Sequence, residues 1–264
     1  MPVDHQVGPG SSPVVHGHLL ILVRDGVDQQ YLTALEKTTG EPVWKTQRPP
    51  LATSPSFRKA FSTPLVIQLD GREQLVSTGA KWIASYEPAT GKELWRVDTG
   101  GSFSNSSRPA FGAGLVFAGT SYSASALRAI RPDGSGDVTV THVQWQQQRS
   151  IPKRSSPLLA GEELYLISDN GIATCLDARS GTVHWTQRLP GAYAASPVLA
   201  EGRIYYFAED GRTTVARAGK QYDRLAENRL DGRILASPAF ANQAIFLRTD
   251  SHLYCIRRPA AAKN

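Results

Sequence analysis

The chain has 264 residues, of which 41% are hydrophobic and 20% charged, and this ordinary globular usage excludes wholesale disorder. The 29 Lys and Arg residues outnumber the 23 Asp and Glu residues, giving a formal net charge of +6, but no dense basic run accompanies it, so we expect no nucleic-acid partner. No stretch approaches the roughly 18 consecutive apolar residues of a transmembrane helix, so we expect no membrane insertion.

The N-terminal residues do not resemble an export signal. They contain no basic segment followed by a long apolar run and a small-residue cleavage site. The apolar run at residues 19–23 is short and ends at Arg24. We therefore expect that the chain in this form is not exported.

Six segments along the chain begin alike, with a small or polar residue, a proline and then a short apolar run. The prolines are Pro13, Pro64, Pro109, Pro157, Pro197 and Pro238. Their spacing of roughly 40–50 residues indicates a repeat protein. A later position in each unit is always small: Ala34, Ser85, Ala129, Cys175, Ala216 and Cys255. We predict that both cysteines are buried in this column and unbridged, because they lie two units apart.

Each of the first five units continues into a fourth segment, which in four units contains a tryptophan. Three copies, at residues 36–44, 87–95 and 177–185, share the pattern acidic-x-x-Thr/Ser-Gly-x-x-x-Trp. The glycine permits a positive φ in a tight turn, and the acidic and hydroxyl side chains can bond its backbone. We expect the tryptophans to anchor the outer strands against the neighbouring units. These blade anchors are Trp44, Trp95, Trp145 and Trp185. The third copy is stretched, the fifth has no Trp, and the sixth ends before its fourth strand.

Four short strands per unit predict an all-β fold of radially packed sheets, a β-propeller. The Asp-Gly and Asn-Gly turns and the absence of a 3.6-residue period exclude a helical solenoid. The second strands are apolar throughout, as in strands covered on both faces. We predict one domain, residues 1–264, with blades at about residues 11–49, 61–98, 107–148, 155–189, 195–230 and 236–259.

The Ser-Pro starts and the turn-Trp ends, as in YEPATGKELW and LDARSGTVHW, resemble the repeats of PQQ-type β-propellers over residues 11–259. That family includes quinoprotein alcohol dehydrogenases and assembly scaffolds of the BamB type, with seven or eight blades. The resemblance implies that this array of about six blades is incomplete and lacks one or two N-terminal blades. Only residues 3–7 could supply a fourth strand to the last blade. We therefore expect an open or strained ring whose exposed edge allows self-association.

The resemblance to the dehydrogenases implies a site for PQQ and Ca²⁺, with an Asp base and a disulfide between adjacent cysteines. This chain has no adjacent cysteines, and none of the dehydrogenase residues can be matched by position. Asp169 and Asn170 could ligate a hard ion, but no converging set of oxygens accompanies them. We expect no catalytic residue, metal site or bound cofactor, although a Ser/His/Asp triad assembled from distant segments stays open.

The residues just before each innermost strand should surround one opening of the central channel, together with the connections between second and third strands. Cations and aromatics predominate there. The candidate binding residues are Arg58, Lys59, Trp82, Asn105, Arg108, Lys153, Arg154, Tyr193 and Arg233. One hypothesis is an opening that binds an anion or an acidic partner, with arginine as a forked donor and Trp82 or Tyr193 as the stacking surface. The alternative is that these loops are basic only because the whole protein is.

The function that the resemblance favours is a non-catalytic scaffold for a protein or peptide partner, as in BamB-type propellers. The alternatives are a quinoprotein-type oxidoreductase or its degenerate relative, and a propeller that binds a carbohydrate or an anion. The family is mostly periplasmic or associated with the cell envelope, so the resemblance implies that location.

Overall fold

The computed structural model describes residues 3–257, which form six β-sheets in chain order. The first sheet consists of β1 (Val14–His16), β2 (Leu19–Asp25), β3 (Gln30–Glu36) and β4 (Pro42–Gln47). The second contains β5 (Leu65–Leu69), β6 (Arg72–Thr78), β7 (Trp82–Tyr86) and β8 (Glu93–Asp98). The third contains β9 (Ala110–Gly112), β10 (Leu115–Thr120), β11 (Ala126–Ile130) and β13 (Val143–Gln147). The short strand β12 (Gly136–Asp137) joins the second sheet.

The remaining sheets repeat the same antiparallel meander. The fourth contains β14 (Leu158–Ala160), β15 (Glu163–Ile167), β16 (Ile172–Asp177) and β17 (Val183–Arg188). The fifth contains β18 (Val198–Ala200), β19 (Arg203–Phe207), β20 (Arg212–Arg217) and β21 (Arg224–Arg229). The sixth contains β22 (Ala239–Ala241), β23 (Ala244–Arg248) and β24 (Leu253–Arg257). One 3₁₀ turn at Pro55–Phe57 is the only helical element among the described residues.

Five hydrophobic clusters join each sheet face to face with the next. The cluster between the first and second sheets, for example, brings Ile21 and Leu32 against Leu75 and Tyr86. Equivalent clusters join the second sheet to the third, the third to the fourth, the fourth to the fifth and the fifth to the sixth. Second strands of inner sheets, such as β10 and β15, are covered on both faces, so the sheets stack as blades, and the predicted all-β propeller fold is confirmed. No cluster within residues 3–257 joins the sixth sheet to the first.

The column of small residues faces tryptophan in the adjacent strand. In the fourth sheet Cys175 lies opposite Trp185, and in the first Ala34 lies opposite Trp44, each followed by a register shift. Cys175 is buried as predicted, and burial raises the pKa of its thiol to about 12. Cys255 is exposed, contrary to the prediction, because the described part of the sixth sheet has no fourth strand to cover it. Both cysteines are free.

Three of the four predicted anchors link one blade to the next. The indole N–H groups of Trp44, Trp145 and Trp185 donate to the carbonyl oxygens of Pro88, Ala178 and Gly219 at 3.0, 3.1 and 3.0 Å. Each of these carbonyls belongs to the turn before the outer strand of the following blade. Because indole and acceptor come from different sheets, the tryptophans fix the spacing between blades as well as burying apolar surface.

Trp95 makes the same link through another side chain. Its indole donates to Gln74 Oε1 at 2.8 Å, and Gln74 Nε2 donates to the carbonyl oxygen of Pro132 in the third blade at 2.8 Å. The stretched segment of the third blade also adds β12 beside β8 in parallel, and Val138 packs into the same cluster. Trp95 is therefore fully buried, whereas the other three anchors are partly exposed.

Glycines in the turns of the repeat leave room for the tryptophan rings of the preceding blade. Gly181 has a φ of 71°, and a Cβ there would lie 2.7 Å from Cδ2 of Trp145 in the preceding blade. Gly91 is similarly covered by Trp44. Gly40, in the same turn of the first blade, has a φ of 77°, and no atom of residues 3–257 lies within 4 Å of such a Cβ. Glycine is required at Gly181 for both conformation and space, but at Gly40 for conformation alone.

Residues 3–7, the one segment that the sequence offered as a fourth strand for the sixth blade, do not pair with that blade among the described residues. The Asp4 carbonyl accepts a hydrogen bond from the Val27 N–H at 2.8 Å, and the Asp4 N–H donates to Asp28 Oδ1 at 3.0 Å. The segment therefore lies against the hairpin between β2 and β3. The outer edge of β24 carries no strand within the described residues.

A buried ion pair fastens the first two blades. Arg48 Nε donates to both carboxylate oxygens of Asp25 at 2.8 and 2.9 Å, and the two side chains are 2% and 0% exposed. The guanidinium also donates to Ser77 Oγ at 2.7 Å and to the Tyr86 hydroxyl at 3.3 Å. Asp25 and Arg48 belong to the first blade, and Ser77 and Tyr86 to the second, so the pair is the centre of an interblade network.

Candidate functional site

The loops that precede the innermost strands meet the connections between second and third strands on one face. Lys81 N–H donates to the Ser102 carbonyl at 2.7 Å, and isolated β-bridges pair Phe103 with Tyr122 and Tyr193 with Ala208. We call this face the mouth. It comprises residues 51–64, 79–81, 99–109, 121–125, 149–157, 168–171, 190–197, 208–211, 231–238 and 249–252.

One half of the mouth, the paired half, is an ion network of Arg154, Asp169, Glu209 and Arg233. Arg154 lies 2.7 Å from Asp169 Oδ1 and 2.9 Å from Glu209 Oε1. Arg233 lies 2.7 Å from Glu209 Oε2. From the sequence, Arg154 and Arg233 were candidate donors for an external anion, and Asp169 was a candidate ion ligand. The turns instead bring the carboxylates onto the arginines, so the charges of both guanidinium groups are balanced within the protein.

The network shifts the pKa values of Arg154 and Glu209 toward their charged forms. For Arg154, burial disfavours the charge, but hydrogen bonds to Asp169 and Glu209 outweigh it and raise the pKa. For Glu209, hydrogen bonds from Arg233 hold the pKa below its usual value, against partial burial, and Arg154 adds to the lowering. The network connects loops of the fourth, fifth and sixth blades, so its charge state bears on how these blades hold together.

We expect acid to weaken this half of the protein. Since the pKa of Glu209 is lower in the folded state, its contribution to stability is present above the usual value of 4.5 and is lost as the pH falls through the folded value. Glu209→Gln should therefore flatten the dependence of the unfolding free energy on pH below about 4.5. Urea unfolding between neutral and acidic pH measures this. Glu162→Gln, at an exposed carboxylate 4.0 Å from Arg179, is the control and should leave the profile unchanged. Superimposable profiles for Glu209→Gln and wild type would contradict the assignment.

The other half, the aromatic half, consists of Phe57, Phe103, Tyr122, Lys59 and Lys153. The ring of Phe103 lies 4.6 Å from that of Phe57 and 5.7 Å from that of Tyr122, between ring centroids. Phe57 is 47% exposed and Tyr122 46% exposed. Lys153 Nζ lies 5.1 Å from the centre of the Tyr122 ring. Large aromatic side chains grouped at a protein surface are typical of binding sites.

Two adjoining cavities open on the aromatic half, with volumes of about 320 and 410 Å³. Phe57 and Phe103 line both and form the ridge between them. The smaller cavity continues past Leu51 and Gly101, and the larger reaches Tyr122, Lys59 and Lys153. Together they form a groove across the loops of the first three blades and the loop that enters the fourth.

The structure places three predicted binding residues away from the groove surface. Asn105 is fully buried, where its amide donates to the Gly79 carbonyl at 2.8 Å and its oxygen accepts from Ser121 N–H at 2.7 Å. Tyr193 is 1% exposed and donates to the Pro190 carbonyl, and burial raises its pKa to about 12. Trp82 lies between Lys81 and Arg96, 5.0 and 5.1 Å from its ring.

These contacts give the three side chains structural roles. Asn105 ties two mouth loops together, so it is not a ligand donor. Neither predicted stacking ring lines the groove: Tyr193 is packed in the core, and the Trp82 ring contacts Lys81 and Arg96.

Of the other predicted cations, Lys59 lies at the groove, where its ammonium donates to Gln6 Oε1. Arg58 is bonded to the Thr53 carbonyl, at 2.7 Å from Nη2, and so shapes its own loop. Arg108 is exposed, and its backbone N–H donates to Ser156 Oγ at 2.9 Å. Lys59 and Lys153 are thus the predicted cations that the structure brings to the groove without a carboxylate partner in residues 3–257.

Phe57 and Tyr122 were not among the binding residues predicted from the sequence. Each is an aromatic residue inside a loop of polar and small neighbours, Ser54–Arg58 and Ser121–Ser125, away from the apolar runs that mark the strands. An aromatic side chain in such a loop has no strand partner to pack against. That pattern was the available signal for a binding surface.

The acidic residues at the mouth do not fit a calcium–quinone group. Within residues 3–257 no three His, Cys, Asp or Glu side chains converge as a metal site. Asp169 accepts from Arg154 and from the Lys153 N–H, and Asn170 Oδ1 accepts from Ser168 Oγ. The two candidate ion ligands are therefore engaged within the protein, whereas calcium needs about six to eight oxygens.

Comparison with known proteins supports the propeller fold. A family described as "Outer membrane protein assembly factor BamB" matches residues 139–226, one third of the chain. The predicted resemblance to PQQ-like β-propellers is confirmed. No curated protein sequence matches the chain. In the described residues, no helix is long and apolar enough to cross a membrane.

Among solved structures, BamB from Moraxella catarrhalis is similar with a TM-score of 0.68 and 15% identity, over 90% of this chain and 68% of that one. A computationally designed protein, Ika8, gives a TM-score of 0.66 at 11% identity, over 93% and 69%. Quinohemoprotein alcohol dehydrogenase from Comamonas testosteroni gives 0.64 at 15% identity, over 96% of this chain but 46% of its own. At these identities the likeness is one of fold.

Proposed function

We propose that the protein is a non-catalytic scaffold that binds a protein or peptide partner at the mouth. The observation that carries the proposal is the exposed aromatic groove, in which Phe57, Phe103 and Tyr122 present contiguous apolar surface beside cations. Large aromatic side chains that can be desolvated on binding dominate protein interfaces. The similarity to BamB extends the proposal to a partner in the cell envelope.

Two other functions would use the same face. A quinone-dependent oxidoreductase is suggested by the fold of the Comamonas enzyme, but the mouth carboxylates are bonded to arginine and backbone. A carbohydrate-binding propeller would need planar polar side chains beside the rings, and Asn105 is buried away from them. The scaffold requires only the apolar groove, and for this reason it is the function we propose.

Photo-crosslinking in the cells that produce the protein tests the proposal. A benzophenone amino acid in place of Tyr122 should give a discrete adduct with a partner. The same group in place of Val140, which is 93% exposed and outside the mouth, should not. Identical adducts at both positions would indicate random collision. A partner that copurifies but crosslinks only at Val140 would place binding elsewhere and overturn the proposal.

A further inference from the structure

We propose that the aromatic half of the mouth selects an extended, acidic peptide segment with an aromatic side chain beside its carboxylates. This inference rests on the proposed function and narrows it to one class of partner. Its basis is the shape of the groove, the sign of its charge and the arrangement of its rings.

The shape favours a chain over a compact ligand. The two cavities lie side by side and share the ridge formed by Phe57 and Phe103. A side chain can enter each cavity while the backbone crosses the ridge, because alternate side chains of an extended peptide lie on the same side. The smaller cavity ends among Gly100, Gly101 and Ser102, where little side-chain volume obstructs the backbone.

The charge of the groove favours carboxylates. Among the described residues, Asp98 is the only acidic one that lines either cavity, and it lies 3.5 Å from Lys81. Lys59 and Lys153 line the larger cavity, and neither has a carboxylate partner among the described residues. Arg154 also lines it but is neutralised by Asp169 and Glu209. The positive charge without a carboxylate partner therefore comes from the two lysines beside the rings, where it would attract and orient an acidic segment.

The rings favour an inserted aromatic side chain. The planes of Phe57 and Phe103 are tilted by 48°, and those of Phe103 and Tyr122 by 31°. A further aromatic ring can pack edge-to-face against such tilted neighbours. A single strand of nucleic acid would need a longer track of cations. Val7 and Phe61 extend the apolar lining instead.

Three labelled peptides of about ten residues distinguish these features by fluorescence anisotropy. The first carries Phe and Asp in a Gly/Ser background, the second replaces Phe with Ala, and the third replaces Asp with Lys. We expect the first peptide to bind about tenfold more tightly than either of the others, with affinity falling as salt increases. Equal binding of the Lys peptide, or tighter binding of an oligo-dT probe, would overturn the inference.

Two variants with matched controls locate the binding. Tyr122→Ala should weaken binding of the first peptide about tenfold, whereas Val140→Ala should not change it. Lys153→Gln should weaken binding and reduce its salt dependence, whereas Arg179→Gln, at an exposed turn, should not. Thermal unfolding confirms that each variant is folded. If no peptide binds while the crosslinker at Tyr122 still captures a partner, the scaffold stands and the acidic-aromatic selectivity is wrong.

Discussion

Replacement of Asp25 by Ala is expected to destabilise the protein by about 3–5 kcal/mol, because it leaves a buried guanidinium without a counter-ion. The Arg48 side chain is 2% exposed and its Nε donates to both carboxylate oxygens of Asp25. Ser77 and Tyr86 accept its remaining bonds but carry no charge. Urea unfolding followed by tryptophan fluorescence measures the loss.

Two further variants separate the charge effect from loss of packing. Glu93→Ala removes the partner of Arg96 in a pair that is 24% and 34% exposed, and should cost less than about 1 kcal/mol. Asp25→Leu combined with Arg48→Met removes both buried charges, and should recover most of the stability that Asp25→Ala loses. If Asp25→Ala costs no more than Glu93→Ala, the buried network does not hold the first two blades together as described.

Gly181→Ala is expected to cost about 2–4 kcal/mol and Gly40→Ala only about 1 kcal/mol, although the two glycines occupy the same turn of the repeat. Both have a positive φ, of 71° and 77°, which costs a residue with a Cβ about 1 kcal/mol. At Gly181 the new Cβ also meets the ring of Trp145 at 2.7 Å, and such overpacking costs about 1–3 kcal/mol more. Thermal and urea unfolding give the comparison.

A double-mutant comparison tests whether Trp145 causes the larger loss of stability at Gly181. If the extra cost at Gly181 arises from Trp145, then Gly181→Ala should cost only about 1 kcal/mol when it is measured in a Trp145→Ala background. Gly40→Ala should cost the same in either background, since no atom of the described part of the chain lies within 4 Å of the added Cβ. Equal losses for the two glycines in the wild-type protein would show that the interblade contact does not constrain the turn.

The blade architecture could be predicted because its signals are local. The Thr/Ser-Gly turn, the small column and the tryptophan recur within one unit, and the structure pairs them across adjacent strands, as for Cys175 and Trp185. Gln74 could not be identified in this way. Its bonds to Trp95 and to the Pro132 carbonyl span separations of 21 and 58 residues, and no repeated pattern marks it.

The candidate site was harder to predict, because its members depend on which loops meet. Arg154 and Arg233 appeared to be available cations until the fold brought Asp169 and Glu209 against them. Asn105 lies in a polar loop, which suggested an exposed side chain. In the folded protein the side chain is buried, and its amide donates to the Gly79 carbonyl. Lys59 and Lys153 were predicted at the mouth. The aromatic rings beside them come from separate loops, and only the fold brings these rings together.

The short strand β12 has a consequence for solubility. Exposed side chains recur along the outer strands β4, β17 and β21. The polar ones among them discourage strand pairing between molecules. By contrast, β8 buries Leu94, Trp95 and Val97, and its outer edge pairs with β12. The insertion in the third blade thus covers the edge of β8, the apolar outer strand of the second blade. A chain without the insertion would expose an aggregation-prone strand edge to other molecules at high concentration.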